Sequence, residues 1–190
     1  MAQRRSRWLG WLTLAIAGVV VWQVVDRLIV QRSGPAHLVN HVWLERIPRN
    51  SKDMVWHFLA LEHDQRRVGV LGRASRWRVF SDGFVWKVEG DRLRGTFPQN
   101  NCHLDLQVRT WGCAGQAPKP FELCLELKGR DNQVYRYFSR RDWVVRPRGQ
   151  LTPELSWLAP SVQTANATPS EETPLPAPGA FVPAGCWQTP

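Results

Sequence analysis

The sequence predicts a mainly β protein: an antiparallel meander, closed as an up-and-down barrel or left as a strongly curved sheet, behind one N-terminal apolar helix. Three observations carry that reading. Between about Val42 and Val145, apolar and polar residues alternate with period two in short runs separated by turn residues. Gly90-Asp91 and Asn100-Asn101 suit tight reversals, since Gly and Asn accept the positive φ such turns need. Both turns independently bring one apolar set to one face, and a wrong register would flip a whole strand.

The first element is the apolar helix. Arg4, Arg5 and Arg7 precede a run from Trp8 to Val25 broken only by Thr13 and Gln23. At about 1.5 Å per residue that run spans roughly 27 Å, close to the hydrocarbon thickness of a bilayer. Ala15-Ile16-Ala17 has the look of a signal-peptide cleavage motif, but the apolar run continues past it. Residues 1–30 are therefore read as a retained transmembrane anchor. The short arginine-rich end is costly to translocate, which puts it inside and the bulk of the chain in the periplasm or outside the cell.

Residues 31–41 (QRSGPAHLVN followed by His41) read as a linker with Gly34-Pro35 as breaker. The β domain is placed at 42–148. Its clearest part is a three-strand meander. Pairing Glu89 with Arg92 sets Val88 opposite Leu93, Trp86 opposite Gly95 and Phe84 opposite Phe97; the next turn sets Phe97 opposite Leu104, Gly95 opposite Leu106 and Leu93 opposite Val108. On the polar face Lys87 meets Arg94, a like-charge pair suited only to water. Met54–Glu62, Arg67–Gly72, Ser75–Phe80, Phe121–Lys128 and Gln133–Phe138 read as further strands. About eight strands with short turns favour a barrel, with a sandwich as the alternative. Ser139-Arg140-Arg141-Asp142 fits either a cap for a short helix holding Trp143 or a last strand reaching Val145.

After Arg148 the composition changes. Eight of the fourteen prolines lie there and no Lys or Arg does. Residues 149–190 are read as a disordered Pro-rich tail with no apolar face to pack.

Phe97-Pro98-Gln99, Phe121-Glu122-Leu123-Cys124-Leu125 and Tyr137-Phe138-Ser139-Arg140-Arg141-Asp142-Trp143 resemble marks of a family of bacterial membrane-anchored β domains, over roughly residues 42–145. That resemblance implies no activity. The meander is also similar in layout to calycin-type barrels, which concerns architecture alone.

The chemistry is sparse. A net charge of +9 and a pI near 10.3 favour anionic partners. Arg76, Arg78, Trp77, Arg94 and Trp111 are the ligand-binding candidates, from a run of arginines interleaved with tryptophans. For an exported domain the expected partners are the lipid bilayer, an anionic lipid, an acidic envelope polymer or another envelope protein, rather than nucleic acid. Cys113 and Cys124 flank a Gly/Pro-rich connection and are read as a disulfide; Cys102 is read as a small buried hydrophobe and Cys186 as free. No zinc spacing is present, so no metal or cofactor is expected. His37 and His41 lie in the linker, and Ser75, Ser81 and Ser139 sit in no nucleophile elbow. Glu122 and Glu126 alternate with leucines as a solvated strand face would. The leading expectation is a non-catalytic, membrane-anchored envelope binding module. The alternative is an enzyme with an unfamiliar active site in the barrel mouth.

Overall fold

The computed structural model describes residues 35–168, apart from 64, 147 and 148. The described residues belong to one compact unit beginning at Pro35. The anchor and the free-thiol reading of Cys186 fall outside them. Among the described residues no helix is long and apolar enough to cross a membrane.

The domain is a closed, eight-stranded antiparallel barrel in which each strand pairs with its neighbours in sequence order. The strands are β1 (Val42–Leu44), β2 (Val55–His63), β3 (Arg66–Ala74), β4 (Val79–Glu89), β5 (Arg92–Phe97), β6 (Cys102–Gly112), β7 (Leu123–Lys128) and β8 (Val134–Ser139). The β4–β5 register is the expected one, with Val88 paired to Leu93 and Trp86 to Gly95. The β5–β6 register is corrected by two residues throughout: Leu93 pairs with Leu106 rather than Val108, Gly95 with Leu104 rather than Leu106, and Phe97 with Cys102 rather than Leu104. That shift preserves the face because the side-chain period is two. Closure falls on the shortest strand. Only Leu44↔Phe138 joins β1 to β8, and the segment after β8 reinforces the seam through Val42 N–H to the Trp143 carbonyl (3.0 Å) and Val145 N–H to the Asn40 carbonyl (2.8 Å).

Inward-facing residues fill the lumen. Trp43, Phe58, Phe84, Leu93, Leu104, Leu125 and Leu127 have no solvent-accessible surface, so no water-sized void touches them. Gly69 explains how Phe84 fits: a Cβ there would lie 2.3 Å from the ring. The buried Trp86 indole donates to the Val68 carbonyl at 2.9 Å, which satisfies its one polar atom.

A second apolar layer lies outside the barrel. Val42, Leu59, Val68 and Val70 face outward and are covered by a C-terminal strap made of a 3-10 helix, η1 (Pro153–Leu158), and a helix, α1 (Ala159–Ala167). Leu155, Leu158, Val162 and Ala165 of the strap are buried.

Several expectations are corrected here. The tail does not begin at 149, because residues 153–167 are helical and packed. Leu155, Leu158, Val162 and Ala165 recur at helical spacing, and Pro160 sits in the first turn of α1, where its missing N–H costs nothing. Residues 35–41 are part of the barrel rather than linker: Leu38 is wholly buried, and Val39 and His41 form bridges to Ala60 and Val144. Residues 75–78 are a turn, and residues 79–80 join the following strand into one eleven-residue β4. The segment after Ser139 forms neither a helix nor a continuous strand; it turns at Arg140–Trp143 and bridges back through Val144. The like-charge Lys87↔Arg94 pair is present, but Glu89 serves both, at 2.5 Å to Lys87 and 2.8 Å to Arg94, so Arg94 is buried rather than solvated.

Cys113 and Cys124 are joined by a disulfide, with Cα atoms 5.8 Å apart. In register Cys124 faces Trp111, one diagonal step from Cys113. Cys113 lies just beyond β6, where the chain is free of the ladder and can close that step. Cys102 is corrected: it is half-buried against the core and disulfide-bonded. Replacing both Cys113 and Cys124 by Ser is expected to lower stability by about 3 kcal/mol, the loop-closure value for so short a loop. A denaturant titration measures this. A drop below about 1 kcal/mol would show that the ladder alone holds the segment.

Candidate functional site

An up-and-down barrel sends alternate connections to the same end. The loops 45–54, 75–78, 98–101 and 129–133 therefore share one rim, here called the tip. Two of them are built rigidly. In the first, the Asp53 carboxylate receives a two-pronged ion pair from the Arg46 guanidinium and the Arg49 backbone N–H at 2.8 Å. These bonds hold the Asp53 carboxyl well below the usual range. In the second, the Ser75 hydroxyl accepts the N–H groups of Trp77 (3.2 Å) and Arg78 (3.1 Å), and Ser75 N–H donates to the Arg78 carbonyl at 2.8 Å. Arg76 N–H donates to the Ser51 carbonyl at 3.1 Å, which laces the two loops together.

What this scaffold displays is unusual for a soluble surface. All four exposed large apolar side chains among the described residues lie at the tip: Trp77 (73% exposed), Phe80 (62%), Val134 (44%) and Ile47 (39%). Clustering of this kind, unlike single exposed residues, marks an interaction surface. Arg49 and Lys52 lie on the first of the two loops and Arg76 and Arg78 flank Trp77 on the second, and none of the four makes an ion pair among the described residues.

Of the residues expected from sequence, Arg76, Trp77 and Arg78 come together here, on a turn rather than on the two faces of a strand. Arg94 and Trp111 do not join them. Arg94 lies on the outer wall of β5, ion-paired to Glu89, with its Nε unpartnered. Trp111 lies toward the opposite rim on β6, with the Arg109 guanidinium 5.2 Å from its ring. Ile47, Arg49, Lys52 and Phe80 were not legible as site residues. Pro48-Arg49-Asn50-Ser51 reads as a loop, but its place beside residues 75–78 follows only once the meander is known to be strictly sequential.

The remaining candidates have structural partners. Glu126 pairs with Arg136 at 3.3 Å, and Glu122 accepts the Arg141 N–H at 3.2 Å. The His37 and His41 rings meet edge to face, with centroids 6.1 Å apart. No group of three metal-ligating side chains occurs among the described residues. At the lumen mouth Arg73 covers Trp56 at 5.4 Å. Burial, with the Glu45 charge nearby, pushes the Tyr137 phenol upward, so it stays protonated at neutral pH.

The fold and site together define an eight-stranded up-and-down barrel with a packed lumen and a rigid, apolar and basic tip. No family model matches the chain, and neither the curated proteins nor the solved structures compared with it yield a match.

Proposed function

We propose that the domain is a non-catalytic, membrane-tethered interaction module of the cell envelope that docks its tip on an anionic lipid surface. The observation that carries this is the confinement of the exposed large apolar side chains among the described residues to one rim, which also carries Arg49, Arg76 and Arg78 without ion pairs. Trp77 and Phe80 suit the interface of a bilayer, where an aromatic body is buried and polar groups stay wet. Each Arg or Lys near an anionic leaflet adds about 1 kcal/mol. The two laced loops fix these groups before contact, so little ordering entropy is lost on docking. The packed lumen supports docking rather than carriage of a ligand inside the barrel.

Vesicle co-sedimentation tests this with a chain starting at Pro35, first shown to melt cooperatively. It is expected to bind phosphatidylglycerol vesicles, to prefer them over phosphatidylcholine, and to weaken as salt is raised. Trp77→Ala combined with Phe80→Ser is expected to lower binding at least about tenfold, since each ring buries about 1.5–3 kcal/mol of apolar contact. Equal binding to both vesicle types, or an unaffected double variant, would overturn the reading. Binding to dextran sulfate that the double variant retains would move the partner to an acidic polymer.

A further inference from the structure

Beside the tip, between loop 45–54 and the strap, lies a cleft of ≈ 400 Å³. Arg49 and Arg76 stand on its loop side, Ile47 and Trp157 line it, and Trp143 lies at its base. Neither arginine side chain has an ion-pair partner among the described residues, and both residues line the one cleft. The backbones beneath them are fixed: Arg49 N–H is held by Asp53 at 2.8 Å, and Arg76 N–H by the Ser51 carbonyl at 3.1 Å. One carboxylate, Glu154, also lines the cleft. It is already engaged, by the Arg140 guanidinium at 3.2 Å and the Trp143 indole N–H at 3.4 Å.

Two arginines on fixed backbones, sharing a cleft with Ile47 and Trp157, match a particular ligand chemistry. Guanidinium groups bind phosphate oxygens through paired, charge-assisted hydrogen bonds. Ile47 and Trp157 offer contact to hydrocarbon next to the phosphate. We infer that this cleft is a phosphate-headgroup site, in which Arg49 and Arg76 bind the phosphate of a single anionic phospholipid while the glycerol and the start of its acyl chains lie against Ile47 and Trp157. This deepens the docking reading and rests on it: the tip gives general attachment, and the cleft selects one headgroup. A phosphomonoester, with more charge and a third free oxygen, is preferred over a diester such as glycerophosphocholine.

The test uses the full chain in a phosphate-free neutral detergent, with sn-glycerol 3-phosphate as probe, followed by phosphorus NMR line broadening. Glycerol 3-phosphate is expected to bind and glycerophosphocholine to bind more weakly. Arg49→Gln and Arg76→Gln are each expected to weaken binding about tenfold or more, the loss of one charged hydrogen-bonding partner. Glu154→Gln is expected to tighten it by removing the opposing charge. Trp77→Ala, which does not line the cleft, is expected to leave it unchanged. All four side chains are at the surface, and unchanged melting curves will confirm that the variants fold. Glycerol 3-phosphate binding that survives both Arg variants, or that is absent from the parent chain, would overturn the site while leaving vesicle docking by Trp77 intact. Intact glycerol 3-phosphate binding without vesicle docking would instead defeat the docking reading alone.

Discussion

Leu158→Ala is expected to destabilise the domain by about 3–4 kcal/mol, within the range for deleting a fully buried leucine side chain. Leu158 has no accessible surface and stands at the junction of η1 and α1. Beside it Leu155 and Val162 are about 2% exposed. Together they cover outward-facing Leu59, Val68 and Val70, which a barrel without the strap would leave to water. The strap also reaches back to the barrel through Arg66, whose guanidinium donates to the Thr168 carbonyl at 3.1 Å, and through Gly83, where a Cβ would lie 1.9 Å from the Thr168 hydroxyl. Stopping the chain at residue 152 is accordingly expected to cost more than Leu158→Ala, and to expose a surface that binds a hydrophobic dye. Denaturant titration of both variants measures the effect. A loss below about 1 kcal/mol for either would show that the strap packs too loosely to hold the outer layer.

The second large effect is on pH. His57 points outward from β2 between Val55 and Leu59, in the apolar layer outside the barrel. It pairs across the sheet with Leu44 and Gly72, is wholly buried, and has no hydrogen-bond partner at either ring nitrogen. Burial lowers its pKa from 6.5 to about 4; the Val55 carbonyl opposes this slightly but lies outside hydrogen-bonding geometry. The sign follows from proton uptake. Below pH 6.5 the unfolded chain protonates His57, while the native chain does so only near pH 4. The unfolded state therefore gains, and stability falls as pH drops through that window, by about 3 kcal/mol in all. His57→Leu removes the group at similar volume. It is expected to leave stability at pH 7 unchanged or raised, since two unsatisfied polar atoms disappear. It is also expected to flatten the slope between pH 6.5 and 4. An equally steep slope in the variant would assign the acid sensitivity to the carboxylates instead, Asp53 and Asp105 among them, which ion pairs hold below their ordinary range.

How far the fold was legible depended on which signal each segment carried. The β4–β5 hairpin was readable because Gly90 takes φ 64°, as the turn demands, and because alternation on both sides fixed Trp86 over Gly95. Residues 75–80 misled because Arg76, Trp77 and Arg78 alternate as a strand would, while the Ser75 hydroxyl that folds them into a turn leaves no periodic trace. The strap was hidden for a different reason. Its apolar residues have helical spacing, but only nine residues of α-helix carry it, within a stretch whose proline content reads as tail. Its stability comes from the barrel beneath it, and short helices of this kind rarely announce themselves alone. The tip was half legible. Residue type pointed to Arg76, Trp77 and Arg78, whereas Arg94 and Trp111, equal candidates by composition, were separated from them by the strand direction and register of β5 and β6.

Closure of the sheet has a consequence for recognition. An open sheet presents unpaired backbone groups to which a partner's strand can be added, and many peptide-binding domains work that way. Here the ladder runs full circle, and the short β1 seam is backed by the segment after β8. Among the described residues no strand is left to extend. Any partner would have to be met by side chains, above all by those on the connections at the rims. Such connections tolerate change in length and composition without altering the pairing beneath them. The specificity of this architecture is thus free to drift loop by loop while the barrel stays the same.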